Sequence, residues 1–157
     1  MTASRSAGVV LYRTGPDTVV EVLLGHMGGP FWARKDAGAW SVPKGEYAPG
    51  EDPLEAARRE FAEELGHPLP DVPLVPLGEL RQAGGKYVTV WAAEGDFDPA
   101  VAVSNTFELE WPRGSGVVRT FPEVDRVAWC TVDDARTRLV KGQVPFLDRL
   151  LEALSAA

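Results

Sequence analysis

Apolar residues fall along the chain in short, closely spaced runs, and the spacing within each run sets the element it predicts. GVVLYR (8–13) and TVVEVLLGH (18–26) are rich in β-branched and aliphatic residues and flank the turn-forming TGPD, which predicts a β-hairpin. MGGPFWARKDAG (27–38) carries no periodicity and reads as a loop; AWSVPKG (39–45) reads as one short strand. VPLGELRQ (75–82) and KYVTVWAAEG (86–95) form a second strand pair across AGG. From Asp96 to Val124 the pattern is irregular, with a strand expected in TFELEW (106–111). That stretch is longer than ordinary connections, which marks it as functional or mobile. DRVAWCTV (125–132) is strand-like, and DDARTRLV and PFLDRLLEALS carry helical spacing.

Between the two strand pairs the period changes. At about 100° per residue, Leu54, Ala57, Phe61 and Leu65 share a stripe roughly 80° wide, which predicts a helix over 53–65 with that stripe on the core. Asp52 is a capping residue, Pro53 suits the first helical position, Glu55 stands three residues after the cap, and Gly66 is a stop. Strands, helix, strands and helix joined mostly by hairpins predict an α+β fold, a mixed sheet with helices on its faces. At 157 residues the chain is expected to form a single domain over 1–157.

Composition narrows the function. The apolar share of 45% and charged share of 25% are ordinary for a globular protein. GVVLY and VVEVLL are far short of the ~20 residues that a membrane span needs, so no membrane role is expected. The N-terminus lacks a signal-peptide pattern. The single Cys130, in the apolar run VAWC, reads as a core residue and excludes an intramolecular disulfide framework, which leads to a cytoplasmic expectation. A net charge of −7, with no basic run longer than Arg34-Lys35 or Arg58-Arg59, argues against a nucleic-acid stripe. A small phosphorylated partner stays open if metal ions supply positive charge.

The acidic residues of the helix carry the candidate chemistry. Glu51, Asp52 and Glu55 belong to a helix start, where acids are favoured. Glu60, Glu63 and Glu64, spaced i, i+3 and i+4, lie toward the C-terminal end, where the dipole favours cations by ~0.3–1 kcal/mol each. Like charges at i,i+4 add a further few tenths of a kcal/mol. A solvated surface would carry Lys or Arg there, so the cluster points to divalent metal.

From Gly45 the sequence runs G-x5-E-x7-R-E-φ-x-E-E-x-G, with Glu51, Arg59, Glu60, Phe61, Glu63, Glu64 and Gly66 in the defined positions. This segment, Gly45–His67, resembles the Nudix box of hydrolases that cut nucleoside diphosphates linked to another group. His67 departs from it, standing where an aliphatic residue is usual. The resemblance implies an α/β/α sandwich with a mixed sheet, and Mg²⁺ as cofactor with Mn²⁺ able to replace it. It implies Glu60 and Glu64 as principal metal ligands, with Glu63 sharing the site and the Gly45 carbonyl contributing. Arg59 is expected to orient a carboxylate, the alternative being a surface pair with Glu55. Neither His67 nor His26 is expected to bind metal. In the implied reaction water attacks one phosphorus and a carboxylate takes its proton. Glu60 is one candidate base. Glu123 is another, six residues before Trp129 in a segment that looks like the E-x5-W of the dinucleoside polyphosphate branch; Glu108 and Glu110 are further alternatives.

The opening WSVPKG (40–45) is similar to the W-x-x-P-K-G of dinucleoside polyphosphate hydrolases. The expected substrate is therefore a small (di)nucleoside polyphosphate, with an oxidised nucleoside triphosphate or ADP-sugar as alternative and a non-catalytic nucleotide sensor as the rival reading. Lys44 stands beside the carboxylates, able to meet a phosphate. Arg34, Lys86 and Tyr87 are the other expected substrate contacts, Tyr87 stacking a base or else packing on the sheet.

Overall fold

Residues 4–156 are described by a computed structural model. The first hairpin forms from β1 (Arg5–Thr14) and β2 (Val20–Met27), paired antiparallel. The segment AWSVPKG does not make one strand. It splits into β3 (Trp40–Ser41), which pairs with β2, and β4 (Lys44–Glu46), which pairs with β1. Pro43 has no N–H to continue a ladder. Its carbonyl accepts from the Val9 N–H at 3.2 Å, and the Val42 N–H donates to Gln143 Oε1 at 3.0 Å.

After helix α1 (Pro53–Leu65) come β5 (Leu74–Arg81) and β6 (Tyr87–Glu94), the expected second pair. β6 lies parallel to β1, so the main sheet is mixed, in the order β3-β2-β1-β6-β5. The irregular stretch is more ordered than its pattern suggests: β7 (Thr106–Glu110) pairs with β8 (Val118–Pro122) in a separate two-stranded sheet. β9 (Val124–Thr131) joins β2, and α2 (Val132–Arg138) and α3 (Pro145–Ser155) close the chain. No helix among the described residues is long and apolar enough to cross a membrane.

β1 is central and buried on both faces, which is why it reads as a continuous apolar run rather than an alternation. Ala7, Val9 and Leu11 pack with Ala56, Ala57, Phe61 and Leu65 of α1. Val10, with Val22 and Leu24, belongs to the opposite core, which holds Ala135 of α2 and Phe146, Leu147 and Leu150 of α3. Helices thus cover both faces, an α/β/α sandwich.

Two details of α1 differ from expectation. Asp52 takes the extended N-cap conformation but its side chain makes no capping hydrogen bond. Leu54 is only half-buried, whereas Ala56 is fully buried. The buried arc therefore runs past the apolar stripe to Ala56. At helical spacing Glu60 and Glu64 fall between Ala56 and Ala57, inside that arc rather than beside it. Gly66 stops the helix as expected, at φ 76°, its N–H donating to the Ala62 carbonyl at 2.8 Å.

Phe61 anchors this arrangement, fully buried and edge-on to Phe97 at 6.1 Å between centroids. Phe61→Ala is expected to cost about 3–5 kcal/mol, read as a lower denaturant midpoint at unchanged slope.

Candidate functional site

A cavity of about 450 Å³ opens where α1, β4 and the base of the β7–β8 hairpin meet. Glu60, Glu63 and Glu64 enter from α1, Lys44, Gly45 and Glu46 from β4, and Ser6 and Lys86 from the ends of neighbouring strands. Asn105 and Glu123, the residues flanking the hairpin, complete the wall. Local hydrogen bonding explains the convergence. The last carbonyls of α1 need donors. The Val103 N–H serves Leu65 at 3.0 Å and the Asn105 N–H serves Glu63 at 2.9 Å; Glu123 then donates its N–H to the Asn105 carbonyl at 2.8 Å. Glu123 is carried to the helix end by that ladder.

Glu64 is the most enclosed of the carboxylates. Its Oε2 accepts the Lys44 backbone N–H at 2.7 Å. Burial nevertheless pushes its carboxyl up to about 8, with Glu60 and Glu123 adding repulsion against the pull of Lys44. Burial also raises Glu60, partly offset by Arg59. Arg59 bridges several acids: it pairs with Glu51, reaches Glu60 at 3.2 Å and Glu63 at 3.7 Å, and donates to the Glu46 carbonyl at 3.3 Å. The alternative surface pair with Glu55 is not formed; the loop brings Glu51 closer than the preceding helical turn.

Gly45 lies against Glu60, where a Cβ would stand 2.0 Å from Glu60 Oε2. Five carboxylates face two ammonium groups in this cavity. Among the described residues no three acidic, His or Cys groups already converge as a ready ligand cluster. The donor set still suits a hard divalent cation such as Mg²⁺ or Mn²⁺: carboxyl oxygens, one pair of them on Glu64, whose burial disfavours the anion unless a cation meets it, beside a glycine with no side chain in the way.

Other expected residues lie elsewhere. Arg34 is exposed in the β2–β3 loop and is not among the cavity-lining residues. Tyr87 is half-buried beneath the Arg5 guanidinium, 4.8 Å from its ring centroid, and does not line the cavity either. Glu108 and Glu110 sit on β7 away from the lining, Glu110 accepting the Gly114 N–H at 2.6 Å. His67 pairs with the Val101 carbonyl at 2.9 Å and packs edge-on to Phe97. His26 is fully buried between Asp125 at 2.7 Å and the Lys35 carbonyl at 2.6 Å. Cys130 is buried in the core. Ser6, Glu46 and Asn105 were not expected. Only Glu46, next to Gly45, had a signal in its position; the other two are isolated polar residues.

Residues 2–150 match the NUDIX domain family. The chain belongs to the Nudix family. It is 34% identical over 113 residues to a nucleoside triphosphate pyrophosphatase/Nudix hydrolase fusion protein of Bifidobacterium longum. That match covers 68% of this chain but only 22% of the relative, so the chain spans a small part of that curated protein's length. Among solved structures, a C. elegans Ap4A hydrolase binary complex superposes with a TM-score of 0.65 at 24% identity, over 97% of this chain and 99% of that one. The NUDIX domain of Shewanella oneidensis NrtR, complexed with ADP ribose, gives 0.65 at 17% identity, over 98% and 90%. At these identities the structural likeness establishes the sandwich fold.

Proposed function

We propose that this chain hydrolyses a pyrophosphate bond in a nucleoside polyphosphate, of the dinucleoside class, at the cavity between α1, β4 and the hairpin base. The observation that carries the reading is the cavity's acidic wall, five carboxylates with the enclosed Glu64 among them, faced by Lys44 and Lys86. A polyanion cannot enter such a wall alone, because two like charges ~4 Å apart at an effective dielectric near 20 repel by about 4 kcal/mol. Glu60, Glu63 and Glu64, with the Gly45 carbonyl, would hold the divalent metal. When bound, that metal supplies the positive charge that polarises the phosphoryl group and makes water acidic enough to attack.

The protein residues do the rest. Lys44 and Lys86 meet phosphate oxygens left uncovered. Arg59 fixes the directions of Glu60 and Glu63 through its fork. Glu123 faces the helix from the opposite wall and takes the proton of the attacking water. The dinucleoside class is supported by the WSVPKG opening, which places Lys44 in the cavity wall, and by the likeness to an Ap4A hydrolase.

Incubation with diadenosine polyphosphates, ADP-ribose and oxidised dGTP, with and without Mg²⁺, tests this through released phosphate and product analysis. Metal-dependent cleavage of the dinucleotides is expected. Glu123→Gln should lower turnover on the order of 10²-fold without weakening metal affinity. Metal-independent cleavage, or none with any nucleotide, rejects the proposal.

A further inference from the structure

Resting on the reading of this site as a nucleotide pyrophosphohydrolase, we propose that Phe31 and Trp111 form its nucleobase platform. Phe31 is 55% exposed at the crown of the loop between β2 and β3. Trp111 follows β7 at the far end of the hairpin and meets it edge to face, centroids 5.5 Å apart at 71°. Paired with Trp111, Phe31 is part of a patch rather than a lone surface ring.

The loop is held in place beside the cavity. The Gly28 N–H donates to the Glu123 carbonyl at 2.9 Å, and a Cβ on Gly28 would stand 1.8 Å from the Pro122 carbonyl oxygen. Gly29, at φ +95°, packs so close to Phe107 of β7 that a Cβ would lie 2.9 Å from its ring. At the other end the Lys35 carbonyl is fixed by His26 at 2.6 Å. Loop and hairpin therefore form one unit rooted at Glu123, whose side chain lines the cavity. Phe31 is three residues from Gly28, so its Cα lies within about 11 Å of the Gly28 Cα, whose N–H holds the Glu123 carbonyl. A base attached through ribose to phosphates in the cavity has that order of distance to cover.

The surface favours a base over a protein. Its exposed apolar part is Phe31 with Val117 and Val118, beside the half-buried Trp111, far short of the roughly 20–30 residues a side of a standard protein interface. Arg34, three residues beyond Phe31 in the same loop, is exposed and makes no ion pair among the described residues. Every base offers a π-face, so the platform separates nucleotides from base-free pyrophosphates without choosing among bases.

The test compares wild type, Phe31→Ala/Trp111→Ala and Trp111→Phe in Mg²⁺, with diadenosine tetraphosphate as substrate and inorganic tripolyphosphate as base-free competitor. The double variant is expected to raise KM roughly 5- to 100-fold. Its kcat and its inhibition constant for tripolyphosphate should stay near wild type, and Trp111→Phe, which keeps two rings, should hold KM close to the wild-type value. Unchanged KM, or a tripolyphosphate constant that rises in parallel, overturns the platform. So does self-association that the double variant abolishes at constant KM, which would assign the patch to a second copy of the chain. If wild type cleaves no nucleotide, the catalytic reading fails; calorimetric binding of ATP, kept in wild type and lost in the double variant, then still decides the platform.

Discussion

Glu64→Gln is expected to lower turnover by on the order of 10²-fold or more, while making the metal-free protein more resistant to unfolding than wild type above neutral pH. Both effects come from one buried carboxyl. Burial holds Glu64 up to about 8, against an ordinary 4.5. Above pH 4.5 the unfolded chain releases this proton and the folded protein keeps it. The stability so contributed is complete below that pH and is lost as pH rises through about 8. Glutamine cannot ionise, so its advantage over wild type grows across that interval, to a few kcal/mol. Urea midpoints in EDTA at pH 5, 6.5 and 8 measure it; a flat difference would remove the burial argument. Added Mg²⁺ should close the gap at pH 8 by stabilising wild type alone, with proton release on binding.

Gly45→Ala should resemble loss of Glu60 in kinetics and leave the fold unharmed. The new Cβ would lie 2.0, 2.1 and 2.5 Å from the three terminal atoms of the Glu60 carboxylate. Those atoms end a flexible side chain, so Glu60 swings away and the backbone stays. Stability should change by no more than about 1 kcal/mol, while turnover falls with that of Glu60→Gln. The double variant should be no slower than either single one, because both remove the same group. Full activity in Gly45→Ala, or additive losses, would show that the Glu60 carboxylate is not needed where it stands. Gly28→Ala makes the contrast: its Cβ would meet a backbone oxygen at 1.8 Å, so its effect should appear in stability.

Much of the scaffold was legible from residue spacing. The stripe through Ala57, Phe61 and Leu65, with Gly66 after it, located α1, and the apolar runs located β1, β2, β5, β6 and β9. β8 escaped because VRTFP is short, largely exposed and set among glycines and prolines, so no face of it alternates clearly. The division of AWSVPKG was written in Pro43, but only the partners of Val42 and Pro43 show where each half goes. In the site, acids on one helix were legible because a single period relates them. Ser6 and Asn105 come from remote segments and have no period to share. Arg34 and Tyr87 were candidates for their charge and ring and for their distance along the chain from Gly45–His67; loop path and strand pairing leave them off the cavity wall.

The parallel ladder between β1 and β6 pairs Arg5 with Tyr87 and Tyr12 with Glu94, closing a segment of about 80 residues. During synthesis, the oily strand at the heart of the sheet must wait for a neighbour that leaves the ribosome much later. Until then its apolar flank is open to aggregation, and the helix bearing the acids has no finished wall to lean on. A nascent chain halted before β6 should therefore be a client for chaperones, and catalytic competence should arrive late and all at once.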